Sequence, residues 1–506
     1  MEGSGRRMAA EDGWIEEDGW IVEDDDNDDG AADVFLPDLN YDTLDPFDGH
    51  KNKIFVQEYL KLMQMGRAPV RAVVEKKHSV QEDYWCFLRH PKHVGKPRKW
   101  LKMAGIEVFS AYYDDRENSL FPENSAIQLL VVSNHSIESS PTPFHCNIFK
   151  SPSTYATVKG YIREIWQTGW DPRDTYQVPS LITCPIPKRL DYASEMDRKW
   201  VVSLTRNPCH SVEVGMDVVM KNEGGGEEKI EKKKDVVVCV KGLDYQNDIS
   251  GRLLEWLEMQ YLFGADKVSI YTFYLTQETQ KIINWYQKHR KLTVIPLSLP
   301  SGNPTDPSLR SEFLKSDRPQ KRRHELIPYN DCFYSHIHTH RYVLIIDIDE
   351  VIVPVAFDNY SDLLHNFESN FNSPSGRRIS SISSRNVFKF RSNFSMVPAY
   401  QYMISNQKRS KKTSPNGEYG KSFSSTSTVA TVFNHFALHK LSPSVAKSQY
   451  FPATDALKLH YKSECPWESR NECHKLEYDV IDDTSLRKFE KELRSRVDRV
   501  VESIGL

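Results

Sequence analysis

Two aspartates, Asp347 and Asp349, have the spacing in this chain that most directly suggests chemistry. They follow an uncharged run, Tyr342–Ile346, which predicts a strand buried on both faces of a mostly parallel sheet. Carboxylates at the carboxyl end of such a strand lie where open α/β sheets bind ligands. If the strand continued, both aspartates would share one face and repel each other, so we expect a cation there. A hard divalent metal that carries a phosphate group is the obvious candidate.

Transfer of a sugar from a nucleoside diphosphate is one reaction that this site would serve. The leaving diphosphate carries negative charge, which a divalent metal stabilises as a Lewis acid. Asp349 could bind this metal, and Asp347 could reach the metal or the ribose. His460 would suit manganese as a third ligand, although a lone histidine is more often an ordinary core or surface residue. Lys421 could offset phosphate charge, and a carboxylate base would assist the acceptor hydroxyl.

The same residues also match a phosphatase motif. Asp347-Ile348-Asp349-Glu350-Val351 fits the D-x-D-x-[TV] pattern of haloacid dehalogenase-type phosphatases. There Asp347 would be phosphorylated and Asp349 would act as the acid and base, with magnesium between them. Spacing does not separate the two readings. Context favours the transferase, because at least three strand–helix units precede this strand, whereas in the phosphatases it tends to open its domain. In the simplest reading the carboxylates only cap the next element.

The elements upstream of the carboxylates alternate between strands and helices. Predicted strands lie at Val236–Val240, Val268–Tyr271 and Leu292–Leu297. Helical spacing covers 253–262, 277–289 and much of 322–340, while the polar stretch 301–318 is expected to be a loop. Such alternation predicts a parallel α/β sheet built by right-handed crossovers. Neither a G-x-G-x-x-G turn nor a Walker A loop is present, so dinucleotide and P-loop chemistry are not indicated.

Composition divides the chain into five segments, and each has its own expected structure. In order they are an acidic, disordered tail at 1–50; a linker with a short helix at 51–105; a smaller antiparallel β domain at 106–220; a flexible loop at 221–234; and the α/β domain at 235–506. Short strand-like pieces separated by Pro, Asn, Asp and Ser clusters favour a sandwich for the third segment. Trp166 and Trp170 of that segment could stack on sugars, but core positions are the more ordinary reading.

Charge and cysteine usage narrow the function classes. The formal net charge is −4, so nothing global argues for nucleic acid. The eight cysteines are scattered and form no C-x-x-C pair, which argues against structural zinc. Their even number fits disulfides in a secretory lumen as well as it fits reduced, buried thiols. No apolar run of ~18 residues is present, so no transmembrane helix is expected, and the acidic start does not resemble a signal peptide.

The segment from Cys239 to about Cys465 resembles glycosyltransferase family 92. The resemblance rests on an ordered set of blocks, each weak alone: Cys239-Val240-Lys241, Leu254-Glu255-Trp256 with Gly264, Glu325–Cys332, Tyr342–Pro354, Lys421-Ser422, Asn434-His435-Phe436 and His460-Tyr461-Lys462. The upstream blocks Ala111–Arg116 and Trp166–Pro172 are similar to the β region of animal members. Lys462 stands where an arginine is more usual in the family.

The resemblance implies a GT-A fold: a mixed, mostly parallel sheet with helices on both faces, preceded by a smaller antiparallel β domain. It also implies metal-dependent, inverting transfer of galactose from UDP-galactose to a glycan or glycoprotein acceptor, with Mn²⁺ or Mg²⁺. By motif, the metal site would comprise Asp347, Asp349 and His460. Nucleotide-sugar binding would use Asp347, Lys241 and Lys421. Glu350 would be either the base or a support for the loop.

Localisation follows from the resemblance alone. Members of the family are usually type II Golgi membrane proteins, which implies the lumen of the Golgi or secretory pathway and association with a membrane. The N-terminus departs from that pattern, since it is acidic and carries no anchor. A third class of function also stays open, a catalytically silent protein that binds glycans through its β domain without metal.

Overall fold

A computed structural model provides the structure of the protein. It describes residues 84, 86–117, 121, 124–138, 140–167, 173, 175–191, 199–221, 232–290, 292–371, 377–390, 398–462 and 470–505, without the side chains of 191 and 470–473. The predicted tail at 1–50 lies outside the described residues, as do Trp170, most of the 221–234 loop and all of the linker before residue 84. Cys465 and the side chain of Cys473 lie outside them as well.

The first domain consists of two five-stranded sheets packed face to face. Its strands are β1 His93–Gly95, β2 Leu101–Met103, β3 Ile106–Asp114, β4 Ala126–Ser133, β5 His145–Ser151, β6 Thr154–Lys159, β7 Tyr161–Glu164, β8 Val178–Pro185, β9 Val201–Thr205 and β10 Val214–Asp217, with a short helix α1 at Lys188–Asp191. The sheet orders are β1-β10-β9-β5-β6 and β2-β3-β4-β8-β7. Apolar side chains from both inner faces, such as Val108, Leu129 and Val202, form its core.

This β domain starts earlier in the chain than the sequence suggested. β1 pairs with β10, and β2 pairs with β3, so residues from 93 onward belong to its sheets although 51–105 was expected to be a linker. Both strands have only three residues and stand among basic residues such as Lys96 and Lys99, which is why composition favoured a solvated segment. Apart from the parallel β1–β10 pair, the pairings are antiparallel, as expected.

The second domain is built on a nine-stranded mixed sheet. Its strands are β11 Lys234–Asp244, β12 Lys267–Tyr274, β13 Leu292–Pro296, β14 His340–Ile345, β15 Glu350–Val353, β16 Ser381–Phe390, β17 Lys408–Ser410, β18 Lys421–Ser425, β19 Val429–Val432, β20 Ala437–Lys440, β21 Gln449–Tyr450, β22 Leu457–Lys462 and β23 Val480–Asp482. The order in the sheet is β13-β12-β11-β14-β18-β16-β22-β15, with β21 beside β16. The four strands β13, β12, β11 and β14 are parallel, and β14 is the fourth strand of the domain, as expected.

Helices cover both faces of this sheet, so the predicted fold class, a GT-A-like α/β arrangement behind a smaller β domain, is confirmed. They are α2 Ser250–Leu262, α3 Gln277–His289, α4 Pro307–Ser316, α5 Arg318–His336, α6 Tyr360–Asn370, α7 Tyr402–Ser405, α8 Arg470–Tyr478 and α9 Glu490–Ile504, with 3₁₀ turns at Ala399–Gln401 and Arg487–Phe489.

Alternate residues of the parallel strands feed two different cores. On β11, Val236, Val238 and Val240 face a core that contains α2, α3, α6 and α9. Val237 and Cys239 face the other core, together with α5 and several residues of the β domain. Because a strand side chain points to the opposite face from its neighbour, a continuous apolar run is needed where both faces are buried.

The loop expected at 301–318 contains helix α4. Asp306 caps it by accepting hydrogen bonds from the amides of Ser308 and Leu309, and Pro307 occupies its first turn. Asp317 caps α5 in the same way. Pro328 lies inside α5. An N-cap aspartate followed by proline is a helix-start signal, so α4 was detectable in principle.

Three disulfides pair six of the cysteines. Cys86–Cys209 and Cys146–Cys184 lie in the β domain, where the second joins β5 of one sheet to β8 of the other. Cys239–Cys332 ties β11 to α5. None of the helices in the described residues is both long and apolar enough to cross a membrane.

Candidate functional site

The two aspartates lie on a tight turn between β14 and β15. β14 ends at Ile345, the amide of Glu350 donates to the carbonyl of Asp347 at 3.1 Å, and β15 begins at Glu350. The strand therefore does not continue through the carboxylates, and Asp347 and Asp349 are not simply alternate residues of one strand face. Asp347 and Glu350 are buried, while Asp349 is partly exposed. The turn places all three carboxylates beside the carboxyl ends of β14 and β11.

Asp347 is held by two lysines. Lys241 Nζ lies 2.9 Å from Oδ1, and Lys421 Nζ donates to Oδ2 at 3.0 Å. Lys241 comes from the carboxyl-terminal half of β11, and Lys421 is the first residue of β18. Burial raises the pKa of Asp347, but attraction from Lys241 and Lys421 outweighs burial and brings the pKa below its ordinary value. Asp347 is therefore a carboxylate at neutral pH, and its charge is already balanced by protein groups.

Glu350 is the most enclosed of the three carboxylates. It forms an ion pair with Lys458, lies 3.5 Å from Lys421 Nζ and 3.6 Å from His460 Nδ1. Burial raises its pKa, yet the nearby Lys421 and Lys458 hold that pKa well below the ordinary range. Its carbonyl accepts a hydrogen bond from Trp256 Nε1 at 2.8 Å. These contacts make Glu350 an anchor for two lysines and a histidine.

Asp349 faces His460. The carboxylate Oδ2 lies 3.4 Å from Nε2 of His460, and the Asp349 carbonyl accepts from the amide of Tyr461 at 2.8 Å. His460 is on β22 directly opposite Glu350 on β15, so strand pairing sets this contact. Burial lowers the pKa of His460, so its imidazole is neutral at physiological pH. A neutral imidazole nitrogen beside a carboxylate suits a divalent ion such as manganese.

The chemistry of this donor set fits a metal only in part. Asp349 and His460 present an oxygen and a nitrogen on one side of the cluster. Asp347, the third expected ligand, has each of its carboxylate oxygens against a lysine. Across the described ranges of the chain, no group of three or more His, Cys, Asp or Glu residues is arranged to hold a metal ion. A metal at this turn would therefore take two protein ligands from Asp349 and His460 and complete its shell with other oxygens.

The structure brings all six predicted site residues into one cluster. They are Lys241, Asp347, Asp349, Glu350, Lys421 and His460. Sequence reasoning missed Lys458, Glu325 and Asn434. Lys458 stands two residues before His460 on the same strand, so period-2 spacing would have placed both on one face. Glu325 on α5 lies 3.3 Å from Lys241, and burial raises its pKa.

Trp166, considered above as a sugar platform, is a core residue. Only 7% of its surface is exposed. The guanidinium of Arg323 lies 4.2 Å from the centre of its ring, and the ring of Phe433 packs beside it at 5.8 Å. The indole ring of Trp166 is therefore covered by residues of the second domain and is not available as a sugar platform.

Comparisons with known proteins agree with the family expected from the sequence. The family model of glycosyltransferase family 92 matches residues 234–497, just over half of the chain. A comparison with curated proteins finds no match.

A comparison with solved structures matches forty-two chains. One is Staphylococcus aureus TarS 1–349, with 18% identity, coverage of 32% of this chain and 38% of that one, and a TM-score of 0.20. A second is TarS 1–349 in complex with UDP-GlcNAc, with 16% identity, coverage of 46% and 60%, and a TM-score of 0.23. A third is the bifunctional glycosyltransferase WbbM in its apo form, with 10% identity, coverage of 35% and 28%, and a TM-score of 0.16. The match thus covers less than two thirds of the length of each of these structures.

Proposed function

The chain belongs to glycosyltransferase family 92, and on that premise we propose that it transfers a hexose, galactose from UDP-galactose, to a glycan or glycoprotein acceptor with inversion. The observation that carries this proposal is the position of the clustered carboxylates and lysines. All six predicted site residues lie inside the matched range 234–497, at the end of the parallel strands β11 and β14. That edge of a parallel sheet is where ligands bind in α/β folds.

The lysines of the cluster balance and orient its carboxylates, so the charge of a diphosphate is proposed to be offset by the bound metal ion. Lys241, Lys421 and Lys458 lie around three carboxylates in a site from which most water is excluded. In such surroundings charge interactions are stronger than in water. Asp347, oriented by Lys241 and Lys421, is proposed to receive the nucleotide sugar. These groups are placed before substrate arrives, which is the feature of electrostatic stabilisation that needs no reorganisation.

Asp349 and His460 are the residues proposed to hold Mn²⁺ or Mg²⁺. Bound there, the ion would act as a Lewis acid that stabilises the departing nucleoside diphosphate. Asp347 is proposed to orient the ion and donor from its lysine-held position. Glu350, considered above as base or support, is proposed to be the support, since its contacts with Lys421, Lys458 and His460 leave it enclosed. The base that takes the acceptor proton is then another carboxylate.

The two other candidate functions make different predictions for the same protein. A haloacid dehalogenase-type phosphatase would form an aspartyl-phosphate on Asp347 and would turn over an aryl phosphate. The ion pairs of Asp347 with Lys241 and Lys421 count against a nucleophile at that position, since both carboxylate oxygens are engaged. A silent glycan-binding protein would bind sugars through the β domain without any dependence on metal.

A thermal-shift series tests the proposal directly. The protein is heated with UDP, UDP-galactose, UDP-glucose or UDP-GlcNAc, each with and without Mn²⁺, because a ligand that binds only the folded state raises Tm. We expect the largest shift with UDP-galactose and Mn²⁺, and release of UDP on longer incubation. Asp349→Ala should lose the metal-dependent part of the shift, while Asp482→Ala, at an exposed carboxylate, serves as the control. The absence of any shift with a UDP-sugar, together with full activity of Asp349→Ala, would refute it.

The proposed location is the lumen of the Golgi or secretory pathway. Support comes from the three disulfides, since such bonds persist in oxidising compartments and are rare in the cytosol. Association with a membrane is proposed because members of the family are usually membrane proteins.

A further inference from the structure

The turn that joins β19 and β20 is tied to β18 by three bonds. His435 Nδ1 donates to the Gly420 carbonyl at 2.7 Å, and Lys421 Nζ donates to Asn434 Oδ1 at 2.5 Å. Ser422 Oγ donates to the His435 carbonyl at 2.6 Å. Three consecutive residues, 420–422, thus bind two consecutive residues of the turn. A side chain at Gly420 would come within 2.6 Å of Ser383 Oγ, so glycine permits this close approach.

Bonding rules fix the hydrogen positions in this turn. A carbonyl oxygen only accepts, so the bond to Gly420 places the ring proton of His435 on Nδ1. Burial lowers the pKa of His435 to about 3, so the ring is neutral and Nε2 carries a lone pair. Asn434 Nδ2 lies 3.2 Å from this Nε2 and donates to it. The amide of Asn434 must therefore point its oxygen the other way, toward Lys421 and the hydroxyl of Tyr329.

The amide oxygen of Asn434 completes the coordination of Lys421. Lys421 is fully buried, and a lysine ammonium has three hydrogens. The ammonium nitrogen lies 3.0 Å from Asp347 Oδ2, 3.5 Å from Glu350 Oε2 and 2.5 Å from Asn434 Oδ1, one acceptor for each hydrogen. If Asn434 were rotated by 180°, its NH₂ group would face the ammonium, and the lysine would be pushed from its place against Asp347.

We propose that Asn434 and His435 are positioning residues of the donor site, which hold the Lys421 ammonium on Asp347 without contacting the donor. The chain of bonds runs from the Gly420 carbonyl through His435 and Asn434 to Lys421. His435 determines which end of the Asn434 amide meets Lys421, and Lys421 in turn orients Asp347. The inference rests on the proposed function for its donor-binding readout only.

Matched asparagine substitutions at two histidines of the same hairpin test the proposal. His435→Asn retains a donor for the Gly420 carbonyl but removes the acceptor that Asn434 needs. His439→Asn is the control, since His439 contacts Thr431 Oγ1 through Nδ1 at 2.7 Å and is not part of the chain of bonds. We expect His435→Asn and Asn434→Ala each to raise the Kd for UDP about tenfold, the loss typical of a hydrogen bond to a charged group. His439→Asn should leave that Kd unchanged.

The double variant tests whether Asn434 and His435 act in series through this chain of bonds, here called the relay, or independently of each other. Because the two residues act in series, Asn434→Ala with His435→Asn should bind UDP no more weakly than Asn434→Ala alone. Additive losses would overturn the proposal, and so would equal losses in His435→Asn and His439→Asn, which would indicate a purely structural role.

The ring nitrogens of His435 provide a readout that does not depend on nucleotide binding. In ¹⁵N spectra of histidine-labelled protein, assigned with His435→Asn, the Nδ1–H form supports the relay and the Nε2–H form overturns it. If the wild-type protein binds no UDP-sugar, the proposed function fails, and the tautomer still decides whether the relay exists.

Discussion

Asp347, Asp349 and Glu350 differ in the partners that each carboxylate has. Asp347 lies between Lys241 and Lys421, and Glu350 lies between Lys421 and Lys458. Among the described residues, Asp349 forms no ion pair with lysine or arginine and instead faces the neutral ring of His460. The repulsion expected between two aspartates is thus relieved for Asp347 by lysines, and Asp349 is the carboxylate that remains suited to a bound ion.

This difference predicts distinct behaviour of two asparagine variants. Asp349→Asn should abolish the gain in UDP affinity that Mn²⁺ provides, because it removes an anionic ligand. Asp347→Asn should weaken UDP binding both with and without Mn²⁺, because Lys241 and Lys421 lose the group that orients them. Isothermal titration of UDP in the presence of Mn²⁺ or EDTA measures both. Retention of the full Mn²⁺ effect in Asp349→Asn would contradict the assignment.

The buried pair of Lys458 and Glu350 predicts a large loss of stability when it is broken. Lys458→Met leaves the Glu350 charge without its nearest partner, which should lower the free energy of unfolding by ~3 kcal/mol. Lys408→Met at the exposed pair with Asp482 should cost less than ~1 kcal/mol. Urea denaturation compares the two. Equal effects would mean that burial does not determine the contribution of these pairs.

The sequence predicted most of the residues of the site, but it did not predict which residues they contact. The aspartates were identified from their spacing after a buried strand, and Lys241, Lys421 and His460 stand in blocks of the family resemblance. Lys458 and Asn434 were missed because their roles arise from strand pairing of β22 with β15 and from a turn that meets β18, which are long-range contacts. The period-2 spacing of Lys458 and His460, and the block that contains Asn434, indicate these positions but not the partners that they contact.

At the scale of elements, the sequence predicted those whose apolar pattern is regular. Helix α3 was predicted to run from Gln277 to His289, and it does. Strands β11 to β14 were recognised from apolar runs that arise because both sheet faces are buried. Helix α4 was missed because it is polar and mostly exposed, and the start of the β domain was missed because β1 and β2 are very short. The elements that were predicted are those whose burial imposes a regular apolar pattern on the sequence.

The free energy of unfolding should depend on pH through Glu255, a residue of helix α2. This fully buried carboxyl accepts hydrogen bonds from the amides of Met403 and Ile404, both at 2.8 Å. Burial raises its pKa to about 7, against which the two amide bonds act more weakly. The folded state therefore binds the proton more tightly than the unfolded state. The stabilising contribution is complete below the unfolded pKa and is lost as pH rises through about 7.

Glu255→Gln should remove this pH dependence. Between pH 4.5 and 8, the wild-type free energy of unfolding should fall by up to about 3 kcal/mol relative to that of the variant, since each pKa unit corresponds to 1.36 kcal/mol. Urea denaturation of both proteins at several pH values gives the difference and cancels the titration of other groups. Parallel pH profiles would show that Glu255 titrates normally in the folded protein.

At the scale of the whole molecule, the β domain and the second domain share a core. Tyr112 and Leu130 of the β domain pack with Phe333 of α5. Asp331 of α5 accepts hydrogen bonds from Arg98 Nε at 2.9 Å and Tyr112 hydroxyl at 2.6 Å, and also from Tyr271 of β12. A charged group of the second domain therefore has two of its hydrogen-bond donors in the β domain.

We expect the two domains to unfold together and the second domain not to fold alone. A chain limited to residues 232–505 loses Arg98 and Tyr112, which leaves the apolar face of α5 exposed and Asp331 short of two donors. Calorimetry of the full chain should show one transition for both domains, and the shorter chain should be insoluble or lack a cooperative transition. A shorter chain with a native-like Tm would disprove this coupling.

Helix α5 is covered on one side by the sheet and on the other by the β domain, and it has buried residues nearly throughout. Because α5 packs against the sheet on one side and the β domain on the other, its residues must be compatible with both neighbours. Across relatives, Asp331 should therefore change together with Tyr112 and Arg98. A member without the β domain should carry polar residues where α5 of this chain packs apolar side chains, such as Phe333, against the β domain. Covariation at these three positions would indicate that the relatives share this contact between the two domains.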